Sequence, residues 1–222
     1  MKVNVIIPTL NEEESIGHVL DKIPRNGKYN IEVIIVDGNS TDRTREIAKE
    51  KGAKVIIEKR KGYGRAYKTG FQHADGDIIV TLDGDDTYPA EKIEELVDYL
   101  IKHDLDFISC ERFSLMEKGA MSLTHKVGNM ILTLATRLLF GVKIKDSQSG
   151  MWVFRKSILK DLKLTSDGMP FSEEIKIEAW KKFRCKEIPI VYRERKGEVK
   201  LNTWRDGLKN LIFLIKKRFG KV

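Results

Sequence analysis

The sequence predicts an α/β fold with a mostly parallel sheet flanked by helices, and two observations lead to it. Short runs rich in Val and Ile recur through the first half of the chain, and a stretch with helical spacing follows each of them. Runs that are apolar at nearly every position suit strands covered on both faces, as in a parallel sheet. Because strand and helix alternate, right-handed crossovers should connect the strands. The length of 222 residues suits one large domain, or one domain with an appendage.

The first half of the chain should contain four buried strands, over 3–7, 31–36, 55–57 and 78–82. The helices between them are expected over 12–22, 41–51 and 64–74. For the second of these helices, Ser40 and Thr41 are suitable N-cap residues and Gly52 is a suitable stop. Each strand therefore ends in a loop at the edge of the sheet where ligands bind in folds of this class.

The second half is less regular but continues the alternation. A helix should follow Pro89 over 90–103, and a short strand should follow at 107–110. A long helix is expected over 121–140 and should end at Gly141. Strands at 151–154 and 188–192 should enclose a helix over 172–183. We divide the chain into a catalytic domain over 1–200 and a basic amphipathic helix over 201–222.

The terminal helix carries an apolar stripe with basic neighbours. Apolar side chains recur at helical spacing at Trp204, Leu208, Leu211, Ile212, Ile215 and Phe219. Basic side chains mostly flank them, at Arg205, Lys209, Lys216, Lys217 and Arg218. A helix of this kind suits a membrane interface, although packing against its own domain is an equally open alternative.

The basic charge is concentrated at the end of the chain. The net charge is +8, and residues 193–222 carry ten Lys and Arg against three Asp and Glu. Such a block indicates an anionic partner, which could be nucleic acid, membrane headgroups or a phosphorylated ligand. The two cysteines form no CxxC pair and the N-terminus does not resemble a signal peptide, which favours a cytoplasmic protein. No apolar stretch is long enough to span a bilayer.

Polar and acidic loops follow three of the predicted strands. They are Pro8-Thr9-Leu10-Asn11-Glu12, Asp37-Gly38-Asn39-Ser40 and Asp83-Gly84-Asp85-Asp86. Asp83 and Asp85 should project to the same side of an extended segment, where both could face one hard divalent cation. Each loop alone could be an ordinary turn or helix cap. Their convergence on one sheet edge is the more informative signal.

Further segments extend this pattern in a fixed order along the chain. They are Lys61-Gly62-Tyr63-Gly64-Arg65-Ala66, Ala74-Asp75-Gly76-Asp77 and Asp146-Ser147-Gln148-Ser149-Gly150. Together with the three loops, they resemble the family 2 glycosyltransferases of the GT-A (Rossmann-like) fold. The resemblance is strongest to the branch of dolichyl-phosphate mannose and glucose synthases, and it spans residues 3–201.

This resemblance implies a role for individual residues. Nucleotide binding falls to Pro8, Thr9, Glu12 and Asp37, and phosphate binding to Arg195 and Lys200. A divalent metal, Mg²⁺ or Mn²⁺, is expected at Asp83 and Asp85, with Thr87 assisting. The expected catalytic residues are Asp85, Asp146, Arg112 and Arg137, of which the two arginines meet phosphates and Asp146 lies near the acceptor.

The resemblance also implies the reaction. A hexose should pass, with inversion, from a nucleoside-diphosphate sugar such as GDP-mannose or UDP-glucose to a polyprenyl or dolichyl phosphate. The terminal helix would hold the enzyme peripherally on the cytoplasmic face of a membrane. Transfer to a sugar hydroxyl of a glycan or glycolipid is the alternative, and it would need a general base, for which Asp146 is the candidate. A nucleic-acid binder without enzymatic activity is a remote alternative that no binding motif supports.

Overall fold

The first four strands form the parallel half of the sheet, as predicted. The computed structural model describes residues 1–196 and 203–221. In it, β1 (Lys2–Thr9) pairs in parallel with β2 (Asn30–Asp37) and β4 (Ile78–Thr81), and β2 pairs in parallel with β3 (Lys54–Ile57). Because these strands share one direction, the loops that follow them lie along one edge of the sheet.

The other strands make the sheet mixed. β5 (Phe107–Met116), β6 (Trp152–Arg155) and β7 (Cys185–Tyr192) complete the order β3-β2-β1-β4-β6-β5-β7. β6 is antiparallel to β4 and β5, whereas β7 is parallel to β5. Among the described strands only β6 is reversed, so the prediction of a mostly parallel sheet is confirmed.

Every predicted helix is present. They are α1 (Ile16–Lys22), α2 (Thr44–Glu50), α3 (Tyr63–His73), α4 (Ile93–Lys102), α5 (Leu123–Phe140), α6 (Phe171–Lys182) and α7 (Thr203–Arg218). Short 3₁₀ turns precede α4 and follow β6. No helix in the described part of the chain is long and apolar enough to cross a membrane.

Both faces of the sheet are covered, which explains the nearly continuous apolar runs in the central strands. In β1, Val5 and Ile7 point into a core cluster that α1, α2 and α4 complete. Ile6, between them, points to the opposite face and packs in a second cluster with residues of α3 and α6. A strand of this kind has no solvent-facing side chains in its middle and therefore shows no polar alternation.

Gly52 and Gly141 follow the ends of α2 and α5 as predicted, but the start of α2 differs from the prediction. Gly141 ends α5 in the left-handed conformation, with φ of 70°, which glycine adopts without strain. The helix predicted from Thr41 begins only at Thr44. Ser40 is not its cap, because its hydroxyl donates to Asp37 at 2.5 Å; Asp42 instead accepts from the backbone N–H of Thr44 at 3.0 Å.

The terminal helix α7 packs on its own domain, but not through the predicted apolar stripe. Asn210 and Leu214 are buried, and Lys217 lies 3.0 Å from Glu174 of α6. The stripe residues Leu208, Ile212, Ile215 and Phe219 remain exposed, and Leu211 is half-buried. The side chains of Trp204 and Arg205 and the predicted domain boundary at residue 200 lie outside what the structure describes.

Candidate active site

The loops after β1, β2 and β4 meet at the carboxyl edge of the sheet. Thr9, the last residue of β1, donates its hydroxyl to Asp37 at the end of β2, over 3.1 Å. Ser15 donates to the carbonyl oxygen of Gly84 at 2.7 Å and so ties the loop after β1 to the loop after β4. The convergence that the sequence predicts is therefore present.

The predicted nucleotide residue Asp37 is fully buried and firmly held. Its oxygens accept from the backbone N–H and the hydroxyl of Ser40, at 2.9 and 2.5 Å, as well as from Thr9. The guanidinium of Arg45 lies 3.6 Å away and balances the charge. Pro8 precedes Thr9 in β1 and is half-buried at the same edge.

The carboxylates of Asp83 and Asp85 lie close enough to repel each other. Burial and the charge of Asp85 raise the pKa of Asp83 to about 7, against the opposing pull of Arg112 and Arg195. The Tyr63 hydroxyl donates to Asp83 over 3.3 Å. The negative charge of the pair is thus only partly compensated by the surrounding side chains.

The backbone of the Asp146–Gly150 loop approaches this pair closely. A Cβ atom at Gly150 would lie 2.4 Å from the hydroxyl oxygen of Tyr63 and 3.2 Å from a carboxylate oxygen of Asp83. Distances this short exclude any side chain at the position. The glycine is therefore required chiefly by the space that the Tyr63 hydroxyl occupies, which the sequence pattern could not reveal.

One oxygen of the Asp85 carboxylate accepts hydrogen bonds from Thr87, and the other oxygen is paired with Arg195. Its Oδ1 accepts from the backbone N–H and the hydroxyl of Thr87, at 3.2 and 2.6 Å. Its Oδ2 lies 3.2 Å from one nitrogen of Arg195, and the other terminal nitrogen of Arg195 lies 3.2 Å from Glu12. The structure thus brings together four predicted site residues, Glu12, Asp85, Thr87 and Arg195, while the predicted Lys200 lies outside the described residues.

The residues at this position fit a hard divalent cation. Two carboxylates whose negative charge is only partly compensated offer the oxygen ligands that Mg²⁺ and Mn²⁺ prefer. In the described part of the chain, no group of three or more His, Cys, Asp or Glu is arranged to hold a metal. Such a cation would complete its ligands with phosphate oxygens, as is usual at nucleotide sites. Thr87, predicted to assist the metal, orients Asp85.

Arg112 and Asp146 form a buried, bidentate ion pair. Nε and Nη2 of Arg112 lie 2.7 and 2.9 Å from the two oxygens of Asp146. Burial raises the pKa of Asp146, but the charge and hydrogen bonds of Arg112 outweigh it and hold that pKa below its usual value. The Arg112 guanidinium also packs over the ring of Tyr192, at 5.3 Å.

This pairing disfavours the expectation that Asp146 acts as a general base. Its side chain is fully buried, and both of its oxygens already accept from Arg112. A carboxylate with a lowered pKa accepts a proton poorly. Asp146 instead fixes Arg112 at the edge of the site.

Sequence reasoning missed the polar residues of α6 and α7 that hold the Asp146–Gly150 loop. Lys176 is fully buried and donates to the carbonyl oxygens of Asp146 and Ser149, at 2.9 and 2.8 Å. Burial lowers the pKa of Lys176 to about 8. Gln148 donates to the buried Glu173 at 2.8 Å and accepts from Asn210 of α7 at 2.9 Å. These residue types usually face solvent, so nothing in the sequence indicated that they are buried against the loop.

A cavity of about 520 Å³ leads away from the carboxylates. At one end it is lined by Asp85, Arg112 and Arg195. Farther along, its walls come from α5 and α7 and from the segment that precedes α5, through Met121, Ser122, His125, Gly128, Asn129, Leu132, Asp206, Gly207 and Asn210. The cavity therefore connects the predicted metal position with the space between the two helices.

The predicted Arg137 is not brought into this cavity. It lies on α5, where its side chain is exposed, and it is not among the cavity-lining residues. His125 of the same helix does line the cavity. Burial, together with the charge of Arg112, lowers the pKa of His125, so its imidazole is neutral at neutral pH.

Comparison with known proteins agrees with this geometry. The family model described as Glycosyl transferase family 2 matches residues 4–163. The dolichyl-phosphate hexose transferase of Haloferax volcanii is 37% identical over 91% of this chain and 88% of its own length. The dolichol-phosphate mannosyltransferase of Pyrococcus furiosus is 32% identical over 90% of this chain, which spans 59% of that protein.

A solved structure supports the fold. Glucosyl-3-phosphoglycerate synthase from Mycobacterium tuberculosis, solved with Mn²⁺, UDP and glucosyl-3-phosphoglycerate, superposes with a TM-score of 0.80. The match covers 99% of this chain and 80% of that chain, at 21% sequence identity. The sheet and its flanking helices therefore have the GT-A arrangement.

Proposed function

Because this chain belongs to glycosyl transferase family 2, we propose that it moves a hexose from a nucleoside-diphosphate sugar to a polyprenyl or dolichyl phosphate. One observation carries the proposal. The cavity lined by Asp85 and Arg112 is also lined by α5 and α7, two helices that expose apolar side chains on their outer faces, away from the cavity. A lipid phosphate suits this arrangement, because its anionic head would meet the arginines in the cavity and its apolar chain would lie against the outer faces of the helices. Relatives named dolichyl-phosphate hexose transferase and dolichol-phosphate mannosyltransferase support the same acceptor.

The donor would lie across the carboxyl ends of β1, β2 and β4. We assign its nucleoside to the buried edge formed by Pro8, Thr9 and Asp37, and its diphosphate to the region of Asp83 and Asp85. A divalent metal there neutralises the charge of the departing diphosphate. Arg195, already between Glu12 and Asp85, is placed to bind a diphosphate oxygen once the donor is present. GDP-mannose and UDP-glucose are both donors of the proposed type.

The acceptor step needs no strong base. An ionised phosphate oxygen attacks the anomeric carbon, its bond forms as the bond to the diphosphate breaks, and direct displacement inverts the configuration. A phosphate monoester is ionised near neutral pH because its second pKa is about 6. Arg112 and Arg195 line the cavity and would hold the acceptor phosphate. The buried pairing of Asp146, which makes it a poor base, agrees with this route.

The alternative acceptor, a sugar hydroxyl, would need a general base in the cavity. With Asp146 paired to Arg112, the neutral imidazole of His125 is the group on the cavity wall best suited to that role. His125→Gln separates the two acceptors. With a phosphate acceptor, we expect kcat/KM to fall by less than about tenfold, whereas loss of a general base costs about a hundredfold or more.

A transfer assay tests the proposal directly. Radiolabelled sugar from GDP-mannose or UDP-glucose should enter the lipid fraction when polyprenyl phosphate and Mn²⁺ or Mg²⁺ are supplied. Removal of the metal with a chelator, or Asp85→Asn, should abolish the incorporation. Transfer to a soluble glycan with none to lipid phosphate would refute the proposed acceptor and leave the family assignment intact.

A lipid acceptor places the enzyme at a membrane. We assign it to the cytoplasmic face, where nucleotide sugars are made, as a peripheral protein held by α7. Sedimentation of the protein with membranes, and its release by high salt, would test this location. Protein found wholly in the supernatant at low salt would contradict it.

A further inference from the structure

One side of α5 exposes an apolar stripe along the length of the helix. Its members are between 47% and 77% exposed and recur at helical spacing: Leu123, Val127, Met130, Ile131, Leu134 and Leu138. The residues that face the cavity or the core, such as Leu132 and Thr136, lie on the opposite side. An apolar surface of this extent on a soluble domain marks a contact site.

The helix α7 exposes a second apolar stripe, although the helix packs against its own domain. A helix packed on its own domain normally turns its apolar face inward. Here the inward face carries one fully buried apolar residue, Leu214, beside Asn210, which donates to Gln148, and Lys217, which lies 3.1 Å from Glu178. The outward face carries Leu208, Ile212, Ile215 and Phe219, which are 43% to 69% exposed. Leu214 and these polar contacts thus hold α7 to the domain and leave the apolar stripe on its other face for another partner.

The two helices run side by side in the same direction. Their N-terminal halves line one cavity, with Asn129 of α5 and Asp206 of α7 among its walls. Their C-terminal ends line another recess, which includes Leu138 of α5 and Arg218 of α7. The two exposed stripes therefore extend along neighbouring, parallel helices.

The charge around the stripes identifies the partner. Segments 118–145 and 206–221 contain ten Lys and Arg and a single acidic residue, Asp206. The rest of the chain has slightly more acidic than basic residues, although the whole chain carries +8. Apolar stripes with basic surroundings suit an anionic lipid surface. A second copy of the chain would set like charges against each other, and nucleic acid would leave the stripes in water.

We propose that the exposed stripes of α5 and α7 together form one docking face for an anionic lipid bilayer. This deepens the proposed function, on which it rests for the lipid acceptor. It extends the membrane contact from the terminal helix to α5, a helix whose other side lines the cavity. An acceptor headgroup at the bilayer surface would then reach the cavity without leaving the membrane.

Three single substitutions of equally exposed residues test the face in the full-length protein. Leu134→Ser alters α5, Ile215→Ser alters α7, and Ile57→Ser alters the end of β3, at the opposite edge of the sheet; these side chains are 54%, 46% and 50% exposed. Co-flotation is measured with vesicles of phosphatidylcholine alone and with vesicles that also contain phosphatidylglycerol. We expect each helix variant to lower partitioning into the anionic vesicles by about tenfold and the control to leave it unchanged.

Several results would overturn the proposal. Leu134→Ser partitioning like the wild type would leave α7 as the sole contact, and equal binding to neutral vesicles would remove the role of charge. A wild-type dimer in light scattering that Leu134→Ser and Ile215→Ser convert to monomers would assign the face to self-association. Thermal unfolding and nucleotide-sugar binding of all three variants verify that each is folded. Vesicle binding without sugar transfer to lipid phosphate would refute the proposed function and leave the docking face standing.

Discussion

At the scale of single residues, the carboxylate pair after β4 makes the stability of the metal-free protein depend on pH. Burial and Asp85 raise the pKa of Asp83 to about 7 in the native state, well above that of an unfolded Asp. Between about pH 4 and 7 the native protein therefore holds a proton that the unfolded chain has lost, and stability falls as pH rises. We expect Asp83→Asn to remove this fall, as measured by urea unfolding at about pH 5 and about pH 8 without metal.

Asp86, three residues after Asp83, is a control for which stability should depend on pH in the opposite direction. Burial raises the pKa of Asp86, but Lys22 and Lys196 outweigh it and keep that pKa below its usual value. Its contribution to stability is therefore present at neutral pH and is lost as pH falls below the pKa of an unfolded Asp. Asp86→Asn should lower stability most at neutral pH. Parallel pH profiles for the two variants would contradict the different environments of the two carboxylates.

For the buried ion pair between Arg112 and Asp146, loss of one partner should cost more stability than loss of both. Arg112→Met leaves the fully buried Asp146 without its partner, and such a change typically costs about 3–5 kcal/mol of unfolding free energy. Asp146→Asn added to Arg112→Met should recover much of this loss, because position 146 then carries no charge that has lost its Arg112 partner. Equilibrium urea unfolding of both variants measures the difference. Equal stabilities of the single and double variants would show that the charge of Asp146 is not the cause.

At the scale of elements, α7 is attached through the buried Leu214 and a few polar contacts. Lys217 lies 3.0 and 3.1 Å from Glu174 and Glu178, and its side chain is almost fully buried. Lys217→Met would leave two buried carboxylates without this cation, so α7 should separate from α6. We expect faster amide hydrogen exchange over Thr203–Arg218 with nucleotide-sugar binding retained. Lys216→Met, at the exposed neighbouring position, is the control and should leave the exchange unchanged.

The elements themselves were predictable because strand and helix periodicity is local. The runs that form β1 and β2 are apolar on both faces, and Gly52 ends α2 as predicted. The start of α2 was not predictable, because Ser40 donates to Asp37 and the N–H of Thr44 is instead accepted by Asp42. That choice depends on which loop atoms meet once the sheet has formed.

The sequence predicted which motifs contribute to the candidate site, but not which of their side chains pair with each other. Asp83, Asp85 and the loops after β1 and β2 follow from strand ends and family order. The buried pair of Arg112 and Asp146 joins residues 34 positions apart, and α6 buries Lys176 although its type favours solvent. Contacts of this kind depend on how distant elements pack together, so no local sequence pattern predicts them. The same reason explains why α7 turned its apolar stripe outward.

At the scale of the whole molecule, charge and shape divide the protein into two functional surfaces. The carboxyl edge of the sheet gathers the acidic groups to which we assign the metal and the donor, among them Glu12, Asp37 and Asp85. The helices α5 and α7 gather the basic and exposed apolar groups. The cavity joins the two surfaces, and Arg112 and Arg195 line it where they meet. A transferase that takes a water-soluble donor and a membrane-bound acceptor needs this arrangement.

The location of the positive charge, rather than its total, should decide membrane binding. We compare the triple variant Lys126→Glu, Lys216→Glu, Arg218→Glu with the triple variant Lys49→Glu, Lys54→Glu, Lys59→Glu; all six side chains are exposed. Both variants have the same net charge, but only the first changes α5 and α7. Because electrostatic interactions in about 0.1 M salt are screened over about 10 Å, charges on α2 and beside β3 contribute little at the docking face.

We therefore expect the first variant to lose binding to anionic vesicles and the second to retain most of it. Each Lys or Arg near an anionic surface contributes about 1 kcal/mol, so three reversals should weaken binding by at least a hundredfold. Co-flotation across a salt series measures the effect, and the difference between the variants should shrink as salt rises. Equal loss in both would mean that net charge alone drives association. The basic excess would then act as a general attraction, and the apolar stripes would need another partner.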